Sequence, residues 1–363
     1  MNKKIILFSL LVLLAGCNST NPTTTTPPLK DPPEIDVYFI AGQSNAAGAS
    51  DFYREDKTTL NLSKPFADKV DLYKNGINNV FYYGNAYDTY EANAYIVDEL
   101  INVKACMGVN NEYEIGAELG MAEYLNDKYE GTNKHAVIIK YAVCGSGLIC
   151  DSVAYGEWSA PSFPNSHLKN QVNLYEKMVG KKSEEYTDGI IYSALSEIAS
   201  KGYEEVNFKG FFWAQGEAET GAHTDYYDDA LIAFVNDLRK DIDKVAVKAA
   251  EEHSLIVGET KDLPFVIAEV APTQDGSKKN ADGTASNQYV QNIINQERAA
   301  CEQLKNCVPL CTADFDIVNQ NAKWKSSEND GISYCADQWH YNGDDMITIG
   351  NQVGDLLYNF EIE

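Results

Sequence analysis

From about Glu34 onward, short runs of β-branched and aromatic residues alternate with longer stretches whose apolar positions recur every three or four residues. Val37–Ile40, Ala136–Tyr141, Phe208–Trp213 and Pro264–Val270 read as strands. Ile115, Leu119, Ala122 and Leu125 fall at helical spacing, as do Ile190, Ile191, Ala194, Leu195 and Ile198. A long helix is predicted from Tyr226 to about Ala250, carrying Leu231, Phe234, Val235 and Leu238. Val290, Ile293 and Ile294 open another helix. A last one follows Gly343, with Met346, Ile347, Ile349 and Val353 inward. Strand–helix alternation predicts an α/β fold, a parallel sheet between two helical layers in a three-layer α/β/α sandwich. In such sheets ligands bind beyond the carboxyl ends of the strands, so chemistry is sought in the residues that follow each strand.

The first 33 residues do not share this pattern. Lys3 and Lys4 precede an apolar run from Ile5 to Leu14, too short to span a bilayer and right for a signal peptide. Leu14-Ala15-Gly16-Cys17 resembles a bacterial lipobox, which implies cleavage before Cys17 and lipidation of Cys17. The expected organisation is therefore a signal peptide over 1–16, a lipidated Cys and Thr/Pro-rich tether over 17–33, and one domain over 34–363. Localisation would be the cell envelope, lipid-anchored, and the outer membrane in a two-membraned bacterium.

Composition narrows the function. The 363 residues carry 29 Lys+Arg against 54 Asp+Glu, a net charge of -25. Such a chain is a poor binder of nucleic acid or of an anionic membrane surface, and no nucleic-acid partner is expected. Besides Cys17 there are cysteines at 106, 144, 150, 301, 307, 311 and 335, an odd number in a compartment that permits disulfides. The last four cluster late in the chain, and spacing leaves their connectivity open. No C-x-x-C or paired His supports a metal site.

Four segments carry candidate chemistry. Gly42-Gln43-Ser44-Asn45 follows the first strand and presents a Ser beside a Gly. Ala142-Val143-Cys144-Gly145-Ser146-Gly147-Leu148 follows the second, with small residues whose N–H groups suit an oxyanion. Trp213-Ala214-Gln215-Gly216-Glu217 follows the third. Asp337-Gln338-Trp339-His340 precedes the last helix, and His340 is the one of five His that follows a carboxylate by three residues in a turn-like stretch. Taken singly, each segment reads equally well as a turn, a cap or a loop.

Taken together and in this order, they resemble the SGNH hydrolase superfamily, and within it the sialate O-acetylesterase / acetylxylan esterase domain of the sixth carbohydrate esterase family. Ile115-Gly116-Ala117-Glu118-Leu119-Gly120 is similar to the G-P-E-x-G block, with Ala117 where Pro is usual, and Lys140–Leu148 is similar to K-x-A-x-G-G-T-x-L. The resemblance spans roughly Asp36 to Leu357. It implies a mainly parallel, flavodoxin-like five-stranded sheet. It also implies Ser44 as nucleophile, His340 as general base and Asp337 as the acid that orients it, with Glu217 the rival for that role. The implied oxyanion donors are the Ser44 N–H, the Gly145 N–H and the Gln215 side chain. No metal or cofactor is implied. Cys144 stands where the family has Gly, which puts the loop conformation in question if that position needs positive φ; Cys144 is also placed to pair with Cys150. Ser146 replaces a Thr.

The expected activity is removal of O-acetyl groups from carbohydrate through an acetyl-Ser intermediate, the partner being acetylated xylan, another glycan or O-acetylated sialic acid. Tyr73, Phe81, Tyr82, Tyr83, Tyr87, Tyr90 and Tyr95 crowd the region between the first two strands, where they either stack on sugar or pack an irregular loop. Asn45, Tyr82 and Tyr83 are the candidate substrate contacts. The acidity mildly favours neutral glycans over sialic acid. Two other readings stay open: an inactive glycan-binding lipoprotein, and an envelope lipase or thioesterase of the same superfamily.

Overall fold

The first strand sets the architecture. β1 (Glu34–Gly42) reads EIDVYFIAG and is buried along almost its whole length, as a central strand covered on both faces must be. Its alternate residues feed two cores. Val37, Phe39 and Ala41 face one, and Tyr38 and Ile40 face the other. The computed structural model describes residues 34–54, 56–89, 92–149, 155–163, 172–220, 225–315 and 339–362. The expected signal peptide and tether, with Cys17, and also Cys150, Cys335 and Asp337, therefore lie outside the described residues.

After β1 come α1 (Ser44–Ala47), β2 (Ser50–Asp51), α2 (Val70–Asn75), β3 (Val80–Thr89) and β4 (Ala92–Asn102). Next are β5 (Glu114–Ile115), α3 (Ala117–Tyr129), β6 (His135–Val143), α4 (Leu174–Val179), α5 (Ile190–Ser200) and β7 (Glu205–Ala214). The chain continues through α6 (Tyr227–His253), β8 (Ile256–Val257), β9 (Phe265–Ala268), α7 (Gln288–Gln303), β10 (Cys307–Leu310) and α8 (Gly343–Tyr358). All four strands and all five helices expected from the hydrophobic pattern are present.

The main sheet runs β10-β9-β7-β1-β6-β3-β4, with β8 added to β7. Its five strands β6-β1-β7-β9-β10 are parallel neighbours, and taken in chain order they give the flavodoxin-like order 2-1-3-4-5. The sheet is wider than five strands. The Tyr-rich stretch after α2 forms a β3–β4 hairpin whose first strand pairs parallel to β6. Helices α4, α5, α6 and α7 contribute to the core that contains Phe39. Helices α3 and α8 contribute to the core that contains Tyr38.

Candidate active site

The parallel register brings the carboxyl ends of β1, β6 and β7 to one edge: Gly42 pairs with Ala142 and with Ala214. At that edge β1 must pass close to β7. A Cβ on Gly42 would stand 2.1 Å from the Ala214 carbonyl oxygen, and its φ is +137°, so no side chain is tolerated. The Gln43 N–H then donates to that same carbonyl at 2.9 Å. The chain turns into α1, of which Ser44 is the first residue, and the N–H of Gly48 closes the helix on the Ser44 carbonyl at 2.9 Å.

On the β6 side, the Cys144 N–H donates to the Tyr87 carbonyl at 2.9 Å. The residue with positive φ is Gly145 at +63°, not Cys144. The Cys-for-Gly replacement therefore costs no backbone strain, because the left-handed turn falls on the Gly that follows. Among the described residues, no hydrogen-bond acceptor takes the N–H of Ser44 or that of Gly145. Two backbone donors are thus available for an oxyanion.

Gln215, at the end of β7, is tied down on all sides. Its Nε2 donates to Glu219 Oε2 at 2.5 Å and faces Gln43 Oε1 at 3.2 Å and the Ser146 carbonyl at 3.3 Å. Its Oε1 and carbonyl both accept from Tyr227 Oη, at 2.9 and 2.7 Å. Glu219 in turn accepts from the Leu148 and Ile149 N–H groups at 2.6 and 3.1 Å. These bonds tie the loops after β1, β6 and β7 together.

Asn45 makes the link to the C-terminal segment. Its Nδ2 donates to Glu217 Oε1 at 2.6 Å and to the Trp339 carbonyl at 3.2 Å. Trp339 precedes His340, so this amide ties the histidine-bearing segment to the residue after Ser44. Asn45 is only 4% exposed, and its amide nitrogen braces the two segments. Burial raises the Glu217 carboxyl above its usual range, while Asn45 and nearby His340 pull it back. Burial also lifts Glu219 to about 7, against the hydrogen bonds it accepts. Glu114 is lifted to about 7 by burial, Asp51 and Asp88 add to the rise, and His340 opposes it. His340 therefore lies within electrostatic reach of both Glu217 and Glu114.

The family model for carbohydrate esterase, sialic acid-specific acetylesterase, matches residues 34–355. The chain belongs to this carbohydrate esterase family. No curated protein sequence matches it. Among solved structures, a protein from Arabidopsis thaliana is similar over 91% of this chain and 100% of its own, at 12% identity and a TM-score of 0.43. NanS is similar over 92% and 99%, at 12% identity and 0.49. XAC1771, a carbohydrate acetylesterase from Xanthomonas citri, is similar over 89% of this chain and 54% of its own, at 13% identity and 0.44.

Within this esterase, the tyrosines of the β3–β4 hairpin separate by strand alternation. Tyr82 is fully buried, 5.8 Å from the Lys140 ammonium at its ring centroid and stacked at a tilt on Tyr95. It is a core residue that no glycan reaches, which corrects its expected role as a contact. Tyr83, on the other face, is 6% exposed and borders a cleft of about 260 Å³ with Asn85, Tyr87 and Tyr141. Two exposed aromatics stand closer to the chemistry. Tyr155 is 38% exposed and so near Gly145 that a Cβ there would lie 2.8 Å from its Cδ2. Trp339 is 42% exposed beside His340. Tyr155 carries no motif around it. Only its contact with Gly145 marks it as part of the site.

Proposed function

We propose that this carbohydrate esterase is a serine enzyme that removes O-acetyl groups from neutral glycans through an acetyl-Ser44 intermediate. The observation that carries the reading is the double hydrogen bond of Asn45, which ties the segment bearing His340 to the strand end bearing Ser44. His340 takes the Ser44 hydroxyl proton as Oγ attacks the acetyl carbonyl carbon. The tetrahedral oxyanion accepts from the Ser44 and Gly145 N–H groups. Collapse breaks the bond to the sugar oxygen, which leaves with the proton from His340. Water, deprotonated by His340, then attacks the acetyl-enzyme, and acetate departs as the proton returns to Ser44. In this reading Asp337 holds the imidazole in its working tautomer, and Glu217 fixes Asn45.

Ser44→Ala should reduce acetate release by several orders of magnitude, about 10⁴-fold or more, and abolish covalent labelling by a serine-directed phosphonate. Near-normal turnover in that variant would overturn the mechanism.

The preference for a neutral sugar rests on the carboxyl groups gathered at Glu114, which lies within electrostatic reach of His340. Asp51 and Glu114 are cross-strand partners in the β2–β5 pair, and Asp88 lies within electrostatic reach of Glu114. An anionic sugar approaching His340 would meet this charge on a chain already at -25. Acetate release from acetylated xylo-oligosaccharides should exceed that from O-acetylated sialic acid, and the reverse order would reject the preference. Export and lipidation at Cys17 belong to the same proposal. Metabolic labelling with palmitate should mark the wild type and not Cys17→Ala.

A further inference from the structure

The thiols of Cys301 and Cys307 lie 2.9 Å apart, sulfur to sulfur. Cys301 sits in the last turn of α7, and Cys307 opens β10. The closeness is imposed by the framework around the turn between them rather than by the sulfurs. The Leu304 N–H donates to the Ala300 carbonyl, and the Phe265 N–H to the Asn306 carbonyl, both at 2.9 Å. Buried Arg239 donates to the carbonyls of Leu263, Lys305 and Asn306 at 2.6 to 3.2 Å. Asn306 Nδ2 donates to the Asp262 carbonyl at 3.0 Å. The turn is thus held from three sides, and the two sulfurs need close by only about 1 Å to reach the roughly 2.05 Å of a disulfide.

We infer that Cys301 and Cys307 are a disulfide-forming pair that staples the end of α7 to the edge strand β10. Cys307 is the half-buried member, so its sulfur is the one an external disulfide reaches first. Cys301 is buried; its contact with Cys307, and then burial, hold it in the protonated thiol form. The oxidant is an exchangeable disulfide, either a protein dithiol oxidase in the envelope or glutathione disulfide in vitro. The Cys307 thiolate attacks one of its sulfurs and expels a thiolate. The Cys301 sulfur, giving up its proton, then attacks Cys307 and releases the second. Two thiols of the protein lose two protons and two electrons, and the oxidant becomes two thiols.

The staple bears on the esterase site through α7. Glu297 lies one helical turn before Cys301, is fully buried, and accepts the Val270 N–H at 2.9 Å on Oε2. Its Oε1 lies 2.8 Å from where a Gly216 Cβ would be, beneath the Trp213–Glu217 turn. Fixing the end of α7 fixes this support.

The test is non-reducing peptide mapping of the full chain after equilibration with glutathione disulfide. Trypsin then chymotrypsin are used, because Cys307 and Cys311 share a tryptic peptide. The expected result is a linked pair containing Cys301 and Cys307, lighter by two hydrogens than the reduced peptides. The wild type should also lose roughly 5 °C of melting temperature on reduction, a shift absent in Cys307→Ser. Alkylation of both cysteines without prior reduction would overturn the inference, as would linkage of either to Cys311 or Cys335, or a wild-type melting point indifferent to reductant.

Discussion

Asn45 donates its side-chain amide to Glu217 Oε1 at 2.6 Å across 172 residues of sequence, and the same nitrogen reaches the Trp339 carbonyl. Asn45→Ala should therefore act on two partners at once. It strands a buried carboxylate and frees the histidine-bearing segment. Stability should fall by about 1–3 kcal/mol, and turnover on p-nitrophenyl acetate by more than that loss of fold explains. Urea denaturation and steady-state kinetics on one preparation separate the two effects. A variant with normal kcat would show that the brace does not position His340.

The acid that orients His340 is decided by a pair of isosteric changes. Asp337→Asn should lower kcat by about 10⁴-fold, the scale of a lost orienting carboxylate in a triad, and Glu217→Gln by much less. A larger fall in Glu217→Gln would transfer the role to Glu217.

Two carboxyls lifted to about 7 make stability pH-dependent. Glu219 and Glu114 are raised from an ordinary 4.5, chiefly by burial. Folded protein thus holds protons that unfolded protein has released between pH 4.5 and 7. Their contribution is fully present below about pH 4.5 and is lost as pH rises through about 7. The urea midpoint should decline over that window, and Glu114→Gln should decline less steeply. Equal slopes for the two proteins would remove Glu114 from the account.

Lys140 and Glu118 form an ion pair at 2.8 Å with both side chains sealed from solvent. Burial lowers the Lys140 pKa and Glu118 draws it back up. Lys140→Met leaves buried Glu118 without its cation, with an expected loss of about 3–5 kcal/mol, whereas Lys140→Met with Glu118→Leu should recover part of it. Because Glu118 Oε1 also accepts the Gly116 N–H at 3.0 Å, recovery should be incomplete. Chemical denaturation of the single and double variants measures both.

Tyr155 lies against Gly145 with over a third of its surface exposed. Tyr155→Ala should raise KM for acetylated xylo-oligosaccharides roughly fivefold, about 1 kcal/mol of lost aromatic contact, while kcat on p-nitrophenyl acetate holds. Equal effects on both substrates would assign Tyr155 to loop packing instead.

Much of this molecule could be read before its fold was known. Val37–Ile40 and Phe211–Trp213 are apolar throughout because both faces of a central parallel strand are covered there, and that composition needs no partner to be recognised. The helices of α5, α6 and α8 announce themselves by period. The β3–β4 hairpin did not, because Phe81, Tyr82 and Tyr83 suit a strand and an aromatic loop equally. Only pairing with β6 chose between them, burying Tyr82 on one face. β10 was missed because four residues with a Pro give no period to detect.

The site divides along the same line. That Ser44, Gly145 and Gln215 each follow a strand was legible locally, from composition and motif. What each group is free to do was not local. Gln215 is held in place because Glu219, Gln43 and Ser146 converge on its amide. Asn45 became a brace because Glu217 and Trp339 arrive from distant parts of the chain. Cys301 and Cys307 come within 2.9 Å of each other because the turn between them is held by Arg239. A sequence specifies donors and acceptors one residue at a time. Which donor meets which acceptor depends on where folding brings distant segments, and only the tertiary structure decides that.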